Sequence, residues 1–234
     1  MIRLLLPIAL ALAFAIVTAR LAVRRTAAEL DAKSVELIDP GLRPVLDRLA
    51  RALDLPRLRV HLYDVPMVNG LAAPDGRIFL TRGFLDRFRG GQVSAEELGS
   101  VVAHELGHVA LGHSRRRMID FGGQNAVRVG LAFLLGRFLG GLGVWVASAL
   151  VQLLSAGLSR RDEYEADAYA SALLIKAGIG VAPQVSLLRK LGAEAERRGA
   201  AAPAWLLTHP QTEARVAAIE GNARRWLSGP AARP

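Results

Sequence analysis

The chain has 234 residues, 52% of them hydrophobic, and a mean hydropathy of +0.28, high for a soluble enzyme. It has no cysteine, which excludes a disulfide framework, a thiolate metal site and a lipidated cysteine, so any metal must be held by histidine and carboxylate. The formal net charge is +9; no interleaving of aromatic and basic residues implies a nucleic-acid partner, and arginines beside apolar segments suit anionic lipid headgroups.

Leu4 to Ala19 is a run of sixteen apolar or small residues between Arg3 and Arg20. Such a run is marginal for spanning a bilayer and near the upper limit for the apolar part of a signal peptide. Val17-Thr18-Ala19 resembles a cleavage site, yet Leu21, Ala22 and Val23 extend the run to Arg24-Arg25, which would mark an interface. The expectation is a single N-terminal membrane anchor over residues 1–25, with flanking charges too even to orient it. Helical linker material is expected over 26–56, interrupted by Pro40-Gly41 and Pro44. Leu58, Val60 and Leu62 alternate with Arg59, His61 and Tyr63, the pattern of a half-buried strand on which His61 is a surface residue. Pro74-Asp75-Gly76 is a turn signal between Leu71-Ala72-Ala73 and Ile78-Phe79-Leu80, which predicts a hairpin.

Ser94-Ala95-Glu96-Glu97 has the form of a capping box, and Leu98, Val101, Val102, Leu106 and Val109 then recur at helical period. Arg115, Arg116 and Arg117 would close that helix with charge suited to its C-terminus. Within it stands His104-Glu105-Leu106-Gly107-His108. Positions i and i+4 are about 40° apart around a helix axis, so both imidazoles can reach one metal. Glu105 sits about 100° from His104, where a carboxylate beside the metal can take a proton from water. Two histidines and a glutamate buried together without a metal or ion partner would be costly, which weighs against a plain core helix. His113 lies about 180° from His104 on the wheel and faces elsewhere, and Ser114 and Leu111 occupy the places where a metzincin would need His and Gly. A third ligand must come from farther along the chain.

Residues 129–158 form an apolar insertion broken by Arg137, with glycines at 136, 140, 141 and 143. It reads either as a second span from Phe138 onward or as a glycine-bent hairpin packed on the catalytic helices or resting in the interface. The cost of an intramembrane arginine favours packing or partial insertion. Ser159, with Asp162 three residues on, looks like another helix start, and Glu163 and Asp167 then share a helix face. One carboxylate can bind a metal while the other, one turn along, accepts the free N–H of a ligating imidazole. Gln184 to Leu227 predicts two amphipathic helices separated by Gly199 to Pro203, and 229–234 is a tail.

His104-Glu105-x-x-His108 followed by Glu163-x-x-x-Asp167 resembles the gluzincin arrangement. The stretch Ser159-Arg160-x-x-Glu163-Tyr164-Glu165-Ala166-Asp167-Ala168 is similar to that of the M48 peptidases, the family of the HtpX-, Ste24- and Oma1-like membrane proteases. Asn69 to Gly83 is similar to the family's strand and turn ahead of the metal helix, and Thr208-His209-Pro210-Gln211-Thr212-Glu213-Ala214-Arg215 to its C-terminal Thr-His-Pro element. The likeness runs from about Leu58 to Glu220; Gly70 departs from it, because relatives usually carry a larger residue there.

The resemblance implies an α+β, predominantly helical, zincin-like metalloprotease domain over 57–228, with a small antiparallel sheet and an N-terminal membrane helix. It implies one zinc ion per subunit on His104, His108 and Glu163, with Glu105 as general base and later proton donor and Asp167 orienting an imidazole. An edge strand would hold the substrate backbone as an added strand. His209 would lie near the metal, stabilising an oxyanion or blocking the site at rest. Its other interpretation is a helix start, with Thr208 and Gln211 as capping box and Pro210 in the first turn. The expected function is a membrane-anchored zinc metalloendopeptidase cleaving membrane-proximal or misfolded polypeptides in protein quality control, at a bacterial cell membrane. The alternative is a proteolytically inactive membrane scaffold that keeps a structural zinc, against which an intact Glu105 argues. A metal helix lying within the bilayer is disfavoured by the charges of Glu96, Glu97 and Arg115 to Arg117.

Overall fold

The computed structural model describes residues 24–73, 75–113, 140–198, 203–210 and 213–228, with isolated positions before 24 and at 132 and 136. It divides into two compact units: residues 1–30 with 112–162, and residues 31–111 with 163–234. In chain order the elements are β1 (Ser34–Glu36), α1 (Arg43–Ala52), β2 (Val60–Tyr63), β3 (Gly70–Ala72), β4 (Ile78–Thr81), α2 (Arg82–Arg89) and α3 (Ala95–Ala110). They continue with α4 (Gly141–Lys176), α5 (Ala182–Arg198), α6 (Ala204–Thr208) and α7 (Glu213–Leu227). The boundary between the units falls inside α4.

The second unit carries a four-stranded sheet in the order β1-β2-β4-β3. The expected hairpin is there, with Gly70 opposite Leu80 and Ala72 opposite Ile78. The sheet as a whole is mixed and not antiparallel, because β2 and β4 run parallel from Val60↔Ile78 to Tyr63↔Thr81. Topology gives the reason. Residues 64–69 carry the chain two strand positions beyond β2, and the turn between Ala73 and Arg77 returns β4 into the gap. β3 runs opposite to β2, so β4, antiparallel to β3, runs parallel to β2. β1 is a second departure, since it lies in the stretch expected to be helical. Pairing with β2 in the register Ser34↔Tyr63 overrides local preference there, and the ladder continues through Leu37 N–H to the Val60 carbonyl at 2.8 Å.

Every residue of β4 is buried, as befits a strand flanked on both edges and covered by α3. Leu49, Val60, Ile78, Leu80, Phe84, Leu98, Val102, Leu174, Leu188 and Ile219 form one core among sheet and helices. Each such side chain contributes roughly 1.5–3 kcal/mol of burial, so the platform under α3 is firm. The capping box forms as expected: Ser94 Oγ accepts from Glu97 N–H at 3.1 Å, and Glu97 Oε2 accepts from Ser94 N–H at 2.8 Å. The same carboxylate also receives Ser186 Oγ and Lys190 Nζ from α5, tying the start of the metal-type helix to a second helix. Burial alone would raise the Glu97 pKa, but these donors together hold it below its ordinary value.

Three further expectations are revised. No helix starts at Ser159, because α4 is already helical from Gly141. Among the described residues the C-terminal region has three helices and not two, α6 being a short extra element between α5 and α7. α3 ends at Ala110 with Leu111 as its C-cap, and Arg115 to Arg117 lie outside the described residues. The proposed anchor over 1–25 and the start of the apolar insertion also fall largely outside them. The helix start expected at Thr208 is not found: Thr208 ends α6, with His209 as its non-helical C-cap. Among the described residues no helix is long and apolar enough to cross a membrane. In the first unit His113 is buried, with Nε2 3.7 Å from Asp162 Oδ1.

Candidate active site

α3 presents His104, Glu105 and His108 on the side facing α4 and α6, and all three are buried. α4 reaches them because the two helices touch through their smallest residues. A Cβ added at Gly107 would stand 3.0 Å from both the Cα and the carbonyl oxygen of Ala166. Gly107 facing Ala166 therefore sets a backbone separation short enough for the carboxylate of Glu163 to reach both imidazoles.

The donor atoms converge. His104 Nε2 and His108 Nε2 are 3.1 Å apart, Glu163 Oε2 is 3.3 Å from the first and Glu163 Oε1 3.4 Å from the second. His209, directly after α6, brings Nδ1 to 3.3 Å from His104 Nε2 and 2.9 Å from Glu163 Oε2. Donor atoms of all four residues lie within 4.8 Å of one another. Ligands at about 2.0–2.1 Å from a tetrahedral zinc lie roughly 3.3–3.4 Å apart, which is close to these spacings. Two imidazoles and a carboxylate, with a third imidazole at the fourth corner, therefore fit zinc in both chemistry and size. Among the described residues His113 takes no part in this cluster, as expected, but the reason is that α3 ends at Ala110 and not its phase on the wheel.

The next layer fixes the first. Asp167 Oδ1 accepts the Nδ1–H of His104 at 3.0 Å, leaving Nε2 as the free lone pair that points into the cluster. Arg215 then clamps Asp167 with two bonds, Nε to Oδ2 at 2.6 Å and Nη2 to Oδ1 at 2.9 Å. Its Nη1 donates to the Pro210 carbonyl at 2.8 Å and lies 3.3 Å from Glu163 Oε2. One buried guanidinium thus balances two carboxylates and holds the loop that carries His209.

These contacts set the titration of the cluster. Burial opposes charge on His104, yet the hydrogen bonds to Asp167 and Glu163 outweigh it and raise its pKa to about 9. Burial dominates at His108, and with the neighbouring His104 it brings that pKa down to about 4. Burial would raise Glu163 and Asp167, but their imidazole and guanidinium partners hold both well below the usual carboxylate range. Arg215 is raised despite burial, chiefly by Asp167.

Trp205 on α6 donates its indole Nε1–H to Glu105 Oε1 at 3.3 Å, and His209 Nε2 lies 3.4 Å from the same oxygen. A Cβ on Gly70 would come 2.6 Å from Val101 Cγ1 and 3.7 Å from Glu105 Oε1, so β3, the outermost strand, runs directly past the base. Glycine at position 70 is therefore what lets strand and helix close up.

Sequence reasoning assigned no role to Arg215 or Trp205. Arg215 left a signal, since it falls in phase with Ile219 and Ala223 on the buried face of α7. A charge on an apolar face requires a buried partner. Trp205 left none, being one apolar residue in an apolar run.

A helix-borne His-Glu-x-x-His pair completed by a glutamate from a second helix is the architecture of a gluzincin-type metallopeptidase. Comparison with known proteins gives the family: the model for peptidase family M48 matches residues 36–223, and the chain belongs to that family, whose peptidases are zinc-dependent. The match begins upstream of Leu58, so α1 lies inside it. The chain is 32% identical over 158 residues to the metalloprotease LoiP of Escherichia coli, covering 67% of this chain and 60% of LoiP. It is 27% identical over 164 residues to the human mitochondrial metalloendopeptidase OMA1, covering 67% of this chain and 30% of OMA1. A protease HtpX homolog of Salinibacter ruber is 28% identical over 222 residues, 80% of this chain and 75% of that protein. The chain thus spans less than two thirds of the length of LoiP and of OMA1.

Proposed function

We propose that this protein is a membrane-attached zinc metalloendopeptidase that binds one zinc ion per subunit through His104, His108 and Glu163. The supporting observation is the convergence of those three side chains to within 3.1–3.4 Å of one another beside the Glu105 carboxylate. Zinc held there would supply a Lewis acid that acidifies water and polarises a peptide carbonyl.

The chain's own residues do the rest. Glu105 takes a proton from the attacking water on its carboxylate and passes it to the leaving amine. Asp167, held by Arg215, keeps the His104 ring turned so that Nε2 faces the ion. The open edge of β3 takes the substrate backbone as an added strand, which lays the peptide past Glu105. His209 Nδ1, 3.3 Å from His104 Nε2 and 2.9 Å from Glu163 Oε2, would act as a fourth ligand if it kept this place, and its imidazole would turn aside to admit a substrate. Membrane attachment is supported by the apolar run Leu4 to Ala19 and by the exposed Leu142, Val144 and Trp145 at the start of α4. Those surfaces would bring membrane-proximal or misfolded chains to the site, in keeping with a role in quality control.

The test is cleavage of casein by the full-length protein in detergent. Activity should vanish with a chelator, return with zinc, and be absent in Glu105→Gln although that variant keeps its zinc. A second interpretation draws on the occupied fourth corner, because structural zinc sites are closed by four protein ligands. Stoichiometric zinc with no hydrolysis of any unfolded protein would establish that scaffold role and dismiss the protease.

A further inference from the structure

Glu105 is 2% exposed, and a carboxylate buried to that degree needs a hydrogen-bond donor to hold it. The donor comes from α6, an element of five residues with no catalytic motif of its own. Trp205 is itself 3% exposed and fixed at both ends. Its backbone N–H donates to the Val68 carbonyl at 3.0 Å, on the segment leading into β3, and its own carbonyl accepts the His209 N–H at 2.8 Å. Its ring meets His104 edge-on, with centroids 5.7 Å apart at 74°, and lies tilted against His209 at 5.3 Å. The indole is thus placed by main-chain bonds and ring packing before its Nε1–H reaches Glu105 Oε1 at 3.3 Å.

An indole offers one donor and no acceptor, and it neither ligates zinc nor titrates near neutral pH. His209 Nε2, 3.4 Å from the same oxygen, can do both. Of the two groups that hold Oε1, only Trp205 can fix the carboxylate without competing for the metal or the proton. We propose that Trp205 is a positioning residue for the general base: its indole pins Glu105 Oε1 and thereby dedicates Oε2 to the proton of water. The proposal rests on the assignment of Glu105 as general base. It gives α6 a purpose, since a helix docked on Val68 carries the alignment of the substrate strand to the base.

The test uses the zinc-loaded full chain in detergent micelles. Trp205→Phe keeps an aromatic ring against His104 and His209 but removes the donor. It should retain zinc and KM within about twofold while kcat falls about 10- to 100-fold, the worth of a hydrogen bond to a charged acceptor. The second readout needs no change at Trp205. In a ¹⁵N-labelled sample the Trp205 indole proton, assigned by its loss in Trp205→Phe, should shift upfield and exchange faster with solvent in Glu105→Ala, while the indoles of Trp145 and Trp226 stay in place. An unmoved Trp205 indole overturns the proposal, and so does an unchanged or increased kcat in Trp205→Phe, which would make the indole a cap over the base. Full activity in Glu105→Gln would instead defeat the general-base assignment itself, so the two failures are distinguishable.

Discussion

Arg215→Met removes the buried cation that balances Asp167 and Glu163 while keeping much of the side-chain volume. The wild-type guanidinium contacts Asp167 at 2.6 and 2.9 Å. With an effective dielectric constant of about 20 and a separation of about 3 Å, the attraction is about 5 kcal/mol. One-sided removal of a buried partner typically costs about 3–5 kcal/mol, because the remaining charge is left without compensation. The expected loss is therefore about 3–5 kcal/mol in chelator-treated protein at pH 7, read as the shift in urea unfolding. Asp167 has a depressed folded-state pKa, so its contribution is present above the unfolded carboxylate value of about 3.9 and is lost as pH falls through the lower folded value. The gap between wild type and Arg215→Met should thus persist from about pH 5 to 8 and narrow only in stronger acid. Combining Arg215→Met with Asp167→Asn should cost less than the sum of the single losses by roughly 2 kcal/mol. A single-variant cost under about 1 kcal/mol, or strict additivity in the pair, would refute the clamp.

The pKa of His104, raised to about 9, contributes stability that is complete below the unfolded value of about 6.5 and is lost as pH climbs through 9. Chelated protein should therefore lose about 3 kcal/mol between neutral pH and about pH 10, and a flat urea midpoint over that range counts against the Asp167–His104 bond. Zinc must displace the same proton, so its apparent affinity should climb towards tenfold per pH unit up to about pH 9 in a competition titration with a chelating dye. Glu163→Gln should abolish stoichiometric zinc in elemental analysis while leaving the fold intact by circular dichroism; retained zinc would remove Glu163 from the ligand set. Gly107→Leu drives a side chain into the backbone of Ala166, which should cost about 1–3 kcal/mol and spread the ligands enough to lose zinc.

What the sequence determined about this protein is whatever depends on near neighbours. The spacing of His104 and His108, the capping box at Ser94 and the pairing of β3 with β4 follow from helix and hairpin geometry alone, and each is found as expected. Glu163 and Asp167 were legible as candidates because their residue types and spacing suit metal chemistry, and His209 only through the resemblance to the M48 peptidases, although no short-range rule could bring any of them to α3. Tertiary structure decided the rest, since it depends on which backbones can approach. Gly107 against Ala166 brings Glu163 to the imidazoles, and the return of β4 beside β2 makes the sheet mixed and leaves β3 at its edge. Arg215 and Trp205 gain meaning only from partners 48 and 100 positions away. Contacts of that range arise from the packing of whole elements, and no local periodicity encodes them.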